Sequence, residues 1–134
     1  MATKTIIVPE GMEFIRDEIG YAPAVLVNDT LYMAGQIGRN DQRELVAEKE
    51  AQFVQVFENM KRILETAGAR FEDVVEITSY HTDMRDLPLY MEVRNRYMND
   101  CYPAWTAIGA ASLCGAPGYF LEVKAVAVID RGDE

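Results

Sequence analysis

The sequence is poor in the residues on which most familiar chemistries depend. It holds one histidine and two cysteines, which removes most zinc sites from consideration. Cys101 and Cys114 have no metal-ligand spacing, and without an export signal they are expected to be free thiols. There is no phosphate-binding loop, no GxGxxG, no nucleophile elbow, no HExxH and no CxxC pair, so neither a cofactor nor a metal is expected. No apolar run is long enough to cross a bilayer, and the first residues lack the basic-then-apolar plan of a signal peptide. The expectation is a soluble, cytoplasmic protein with no membrane partner. Cationic side chains are also in the minority, 13 Lys and Arg against 22 Asp and Glu for a net charge of −9. That balance argues against a general grip on nucleic acid, which needs clustered positive charge to displace counterions. A small molecule or another copy of the chain remains as partner.

What is present is enough for one domain over residues 1–134, since 49% of the chain is hydrophobic and two ordinary cores would need a longer chain. Thr5 to Val8 reads as a strand ended by Pro9, and Glu10 to Gly20 reads as loop. Val25-Leu26-Val27 and Leu31 to Ile37 form a hairpin about Asn28-Asp29. Gly35 lies inside its second strand, where glycine marks a bulge, a close approach to the backbone or simple packing. From Ala47 to Ala67 the apolar residues Phe53, Val56, Phe57, Met60, Ile63 and Leu64 follow one helical face, with Gln52, Gln55, Glu58 and Asn59 in the remainder and Gly68 as the stop. Asp73 to Thr82 alternates as a strand, with Val75, Ile77, Ser79 and His81 on one face. Asp86 is placed to cap a second helix whose stripe is Leu87, Tyr90, Met91, Tyr97 and Met98. Arg94 interrupts that stripe, so its stem is expected to pack while its guanidinium reaches out.

The late strands, separated by a Gly/Pro loop, carry the most informative pattern. Tyr119, Leu121, Val123, Ala125, Ala127 and Ile129 share one face, and Glu122 and Lys124 share the other. Burying either charge is costly unless it is paired or hydrogen-bonded. The two are therefore either interface salt-bridge partners or a working carboxylate with a neighbouring lysine that lowers its pKa. Two helices cover only one face of such a sheet, and the other, with Glu76, Thr78, Tyr80, Glu122 and Lys124, is expected to meet other subunits in a closed assembly.

Several local strings stand in order along nearly the whole chain: Gly20-Tyr21-Ala22-Pro23-Ala24, Ala34-Gly35-Gln36-Ile37, Ala67-Gly68-Ala69, Thr82-Asp83-Met84, Pro103-Ala104, and Leu121-Glu122-Val123 with Ala125-Val126-Ala127. Together they resemble the RidA/YjgF-type reactive intermediate deaminases. The resemblance implies an α+β, chorismate-mutase-like fold with a mixed sheet and two helices on one face. It further implies a homotrimer with small-molecule clefts between subunits. Active members of the family add water to an enamine or imine and release ammonia.

Those members grip a substrate carboxylate with an arginine just after the Pro-Ala pair, where this chain has Trp105. Losing such a charge-assisted pair costs roughly 2–5 kcal/mol of binding when the partner charge stays buried. The Tyr102-Pro103-Ala104-Trp105-Thr106-Ala107 string looks most like the Trp-bearing YjgH-type branch. Carried over by position, Tyr21, Gly35, Trp105 and Ala107 are the implied substrate-binding residues and Glu122 the catalytic one. Trp105 and Ala107 are then expected to face the cleft that Glu122 enters. Lys124, Arg94 and His81 are accessory candidates, although the parity of His81 sets it on the helix-covered face. The implied activity is hydrolytic deamination of an imine, an enamine or a conjugated amino compound. A ligand-binding or sensing trimer without turnover is the alternative, and endoribonuclease action fits poorly with the acidic composition.

Overall fold

The computed structural model describes residues 3–132; residues 1, 2, 133 and 134 of the expected 1–134 span lie outside them. Six strands form one sheet: β1 (Lys4–Ile7), β2 (Ala24–Val27), β3 (Thr30–Ile37), β4 (Val74–His81), β5 (Ala104–Gly109) and β6 (Leu121–Val128). Their order across the sheet is β1-β2-β3-β6-β4-β5. All neighbours are antiparallel except β4 and β5, which run parallel. A parallel pair needs a crossover, and helix α2 (Leu87–Met98) supplies it; the longer helix α1 (Lys49–Ala67) joins β3 to β4.

The helix of strongest periodicity forms as expected. Phe53, Val56, Phe57, Met60, Ile63 and Leu64 are all buried against the sheet, each contributing about 1.5–3 kcal/mol of burial. The Glu48 side chain caps α1 by accepting from the Ala51 N–H at 2.5 Å, and Gly68 closes it with φ of 81°. Phe57 stacks on Tyr97 of α2 with ring centroids 5.4 Å apart. Odd-numbered β6 residues from Leu121 to Ala127 complete this core from the sheet side.

Four local expectations need correction. Residues read as loop contain a wide helical turn, Ile15–Ile19, closed by the Gly20 N–H on the Ile15 carbonyl at 2.8 Å. Its one buried side chain, Ile15, is too little apolar periodicity for a sequence pattern to register. Val75 is not on the covered face: a bulge between Val74 and Glu76 buries Val74 and leaves Val75 exposed, because an extra residue in one strand shifts the alternation. Asp86 stands at the start of α2 without capping it; its Oδ1 instead accepts from Lys49 Nζ at 2.9 Å. Gln52 and Asn59, read as polar remainder of α1, are buried.

The last pair shows how the loops are held. Gln52 Nε2 donates to the Val46 and Gly118 carbonyls at 3.0 and 2.9 Å, and Gln52 Oε1 accepts from the Phe120 N–H at 2.7 Å. Asn59 Nδ2 donates to the Ile37 and Arg39 carbonyls at 3.1 and 2.9 Å. Buried amides that satisfy loop backbone in this way are part of the core, not of the solvated face.

Candidate functional site

Glu122 lies on β6 between Ile37 of β3 and Tyr80 of β4, on the sheet face that the helices leave open. On β3 the register slips between Met33 and Gln36, so a bulge brings Gly35 against the glutamate. A Cβ built on Gly35 would stand 2.1 Å from Glu122 Oε2 and 2.9 Å from its carboxyl carbon. Only a residue without a side chain leaves room for this carboxylate, which is the close approach that glycine in a strand signals.

A cavity of about 260 Å³ opens beside it, lined among others by Tyr21, Gly35, Arg39, Cys114, Gly115 and Glu122. Within it Glu122 makes no hydrogen bond or ion pair with any described residue, and burial pushes its carboxyl above the ordinary glutamate value. Lys124 does not lower it: the lysine is exposed, joins no ion pair among the described residues, and borders a separate shallow depression with Tyr21 and Tyr32. Side chains two apart on a strand share a face but project in parallel, which explains why the expected coupling is missing.

Trp105 and Ala107 lie on the other side of the sheet. They pair with Ile77 and Ser79 of β4, whose side chains are buried beneath the helices. Trp105 Nε1 donates to Ser79 Oγ at 2.9 Å, and its ring stacks on Tyr90 of α2 at 5.5 Å. Within one chain Trp105 and Ala107 therefore lie on the face opposite Glu122, because residues at register-matched odd positions of β4, β5 and β6 share the helix-covered face.

His81 belongs to this second cluster. Fully buried, its Nε2 lies 2.7 Å from Ser79 Oγ and its ring meets Tyr90 edge-on at 5.2 Å. Burial pushes its pKa down, against the pull of Asp86, so it packs as a neutral imidazole. Burial also pushes the Tyr90 phenol up to about 12, with Arg94 foremost in opposing it. The Arg94 guanidinium does not reach out freely. It lies over the Trp105 and Tyr90 rings, 5.0 and 5.7 Å from their centroids, and a guanidinium is well suited to such a face.

The candidates thus divide into Tyr21, Gly35 and Glu122 on one face and Trp105, Ala107, Arg94 and His81 on the other. Sequence reasoning missed Arg39, Cys114 and Gly115 in the Glu122 cavity; no pattern around Arg39 signals that the loop after β3 turns back over it. Among the described residues, no three of His, Cys, Asp and Glu gather as a metal's ligands would. No described helix is long and apolar enough to cross a membrane.

The model of the family described as Endoribonuclease L-PSP matches residues 15–129. The chain is 30% identical to the RutC family protein YjgH of Escherichia coli, over 96% of this chain and 98% of that one. It is 36% identical to the human 2-iminobutanoate/2-iminopropanoate deaminase, over 81% of this chain and 79% of that one. Among solved structures, protein YjgH superposes with a TM-score of 0.85 at 30% identity, covering 96% of this chain and 98% of the other. RidA of the Antarctic bacterium Psychrobacter superposes with a TM-score of 0.77 at 36% identity, covering 81% and 88%.

Proposed function

The chain belongs to the Endoribonuclease L-PSP family, the group that also includes the RutC and RidA proteins, and on that footing we propose a homotrimeric enzyme that hydrolyses an imine or enamine. One observation carries the reading: a half-buried carboxyl, Glu122, without a partner among the described residues, set against a glycine that alone leaves it room. The name of the human relative, an iminobutanoate/iminopropanoate deaminase, supports the reaction class.

In this mechanism Glu122 accepts a proton from a water as its oxygen attacks the imine carbon, and the imine nitrogen takes up a proton. The resulting carbinolamine collapses, the C–N bond breaks, ammonia leaves and a carbonyl remains. One water is consumed for each ammonia released. A carboxyl whose pKa burial has raised is better matched to this exchange near neutrality than an exposed glutamate.

The two separated clusters support assembly. A cavity with Glu122 on one face and a Trp105 and Arg94 surface on the other can form one cleft only between copies. β5 is an edge strand without a charged residue, the kind of edge that invites pairing. Trp105 in place of the family's carboxylate-binding arginine makes the protein a divergent member.

A second reading, a ligand-binding trimer without turnover, is favoured by Trp105 itself, since its one side-chain N–H is already given to Ser79. RNA cleavage is disfavoured by the net charge of −9 and the counterion cost it implies. Ammonia release from a panel of small imines, followed across pH, separates these. Glu122→Gln abolishes release if the mechanism holds, and the wild-type rate falls as pH drops through a value above the ordinary glutamate one, because only the ionised carboxylate accepts a proton. Equal release by wild type and Glu122→Gln sinks the catalytic assignment, and saturable binding without product supports the second reading.

A further inference from the structure

Every arginine except Arg39 and Arg94 has a carboxylate of a described residue within ion-pair distance. In a chain with so large an acidic excess, a guanidinium without such a partner is unusual. The two exceptions fall on the two faces of the candidate site. Arg94 is already engaged, spread over Trp105 and Tyr90 and bonded to the Asn95 amide oxygen at 3.2 and 3.4 Å. Arg39 is different, because it lines the cavity that holds Glu122.

The backbone of Arg39 is fixed from three sides. Its N–H donates to the Ile37 carbonyl at 2.8 Å, its carbonyl accepts from the buried Asn59 amide at 2.9 Å, and it bridges to Leu45 across the loop. Its guanidinium rests 5.0 Å from the centroid of Phe14, another wall of the same cavity. Arg43, the other cation over that ring, is tied to Glu18. A half-buried arginine held in this way has lost much of the freedom that binding would otherwise cost.

Arg39 does not neutralise Glu122. The glutamate makes no ion pair with it, and burial moves the Glu122 carboxyl upward, opposite to the effect of a close cation. One cavity therefore presents a carboxyl poised to move protons and, separately, an uncommitted forked cation. Guanidinium matches a carboxylate in charge and geometry, donating two parallel N–H bonds.

We propose that Arg39 grips a carboxylate of the small molecule bound beside Glu122, so that the anion site lost from β5 at Trp105 is supplied from the loop after β3. The inference rests on the reading of the Glu122 cavity as the substrate site, but its test needs no turnover.

The full chain, as wild type, Arg39→Gln, Arg39→Lys and Arg94→Gln, is titrated with pyruvate, a small planar 2-oxo acid, and with its neutral amide, pyruvamide. Binding is read by calorimetry or amide chemical shifts, and folding by circular dichroism. Arg39→Gln weakens pyruvate at least about tenfold, more than Arg94→Gln does, and leaves pyruvamide unchanged. If Arg39→Gln fails to fold, Arg39→Lys decides: it keeps the charge and loses the fork, and is expected to bind pyruvate several-fold more weakly. Wild-type affinity for pyruvate in the folded Arg39 variants, loss in Arg94→Gln instead, or no saturable pyruvate binding into the tens of millimolar would each overturn the proposal. Arg39-dependent binding without ammonia release from any imine upholds the grip and removes the deaminase reading. Glu122-dependent release with Arg39-independent binding does the reverse.

Discussion

At the scale of single residues, the contact between Gly35 and Glu122 separates catalysis from folding. The Gly35 backbone lies outside the left-handed region, so alanine meets no conformational penalty of its own there. Its methyl would nevertheless collide with the Glu122 carboxyl group, which must swing away. Gly35→Ala is therefore expected to lower kcat/KM by about tenfold or more, as displacement of a catalytic group does, while the melting temperature moves little. Steady-state kinetics and thermal denaturation of the same preparation check both halves. A variant of unchanged activity would mean that the carboxyl position is not critical.

At the scale of elements, the loops that line the cavity are tied to α1 by its buried amides. Gln52→Leu keeps the helix and most of the volume but leaves the Val46 and Gly118 carbonyls and the Phe120 N–H without their partner. A loss of about 2–4 kcal/mol is expected, at the usual cost of unpaired buried groups partly relieved by water, and urea unfolding measures it. The same elements show what a sequence can disclose. Helix α1, the hairpin and the two-faced β6 were legible because their apolar residues repeat at 3.6 or 2. The bulge at Val75 was not, since one inserted residue leaves the alternation looking intact on either side. Gly35 and Glu122 were legible as a close-approach glycine and a charge in an apolar strand. Arg39 was not, because nothing in its neighbours tells that the loop after β3 folds back over the cavity. For Trp105 only the parity was legible, since the face it shares with Ile77 and Ser79 depends on how β5 pairs with β4.

For the whole molecule, the open face of the sheet sets the question. Ile6, Tyr32, Ile108 and Val128 remain exposed on it among the charged side chains of Glu76 and Lys124, a mixture that neither a core nor a free surface favours. Light scattering at micromolar concentration is expected to give a trimer for the wild type, and Tyr32→Lys, which adds a charge to this face, is expected to give smaller species with reduced turnover. A wild-type monomer would leave the Glu122 and Trp105 faces with nothing to join them.

The position of β6 has a consequence for how the protein is made. Although it follows every other described strand in the chain, it sits inside the sheet, between β3 and β4. Until Leu121–Val128 has emerged from the ribosome, β3 and β4 each have a bare edge and the two halves of the sheet have no common strand. The nascent chain can form its hairpin and helices early, yet its sheet closes only once β6 is free to pair. The strand that brings the glutamate to the cavity is also the one that ends the interval in which those edges stand open to wrong partners.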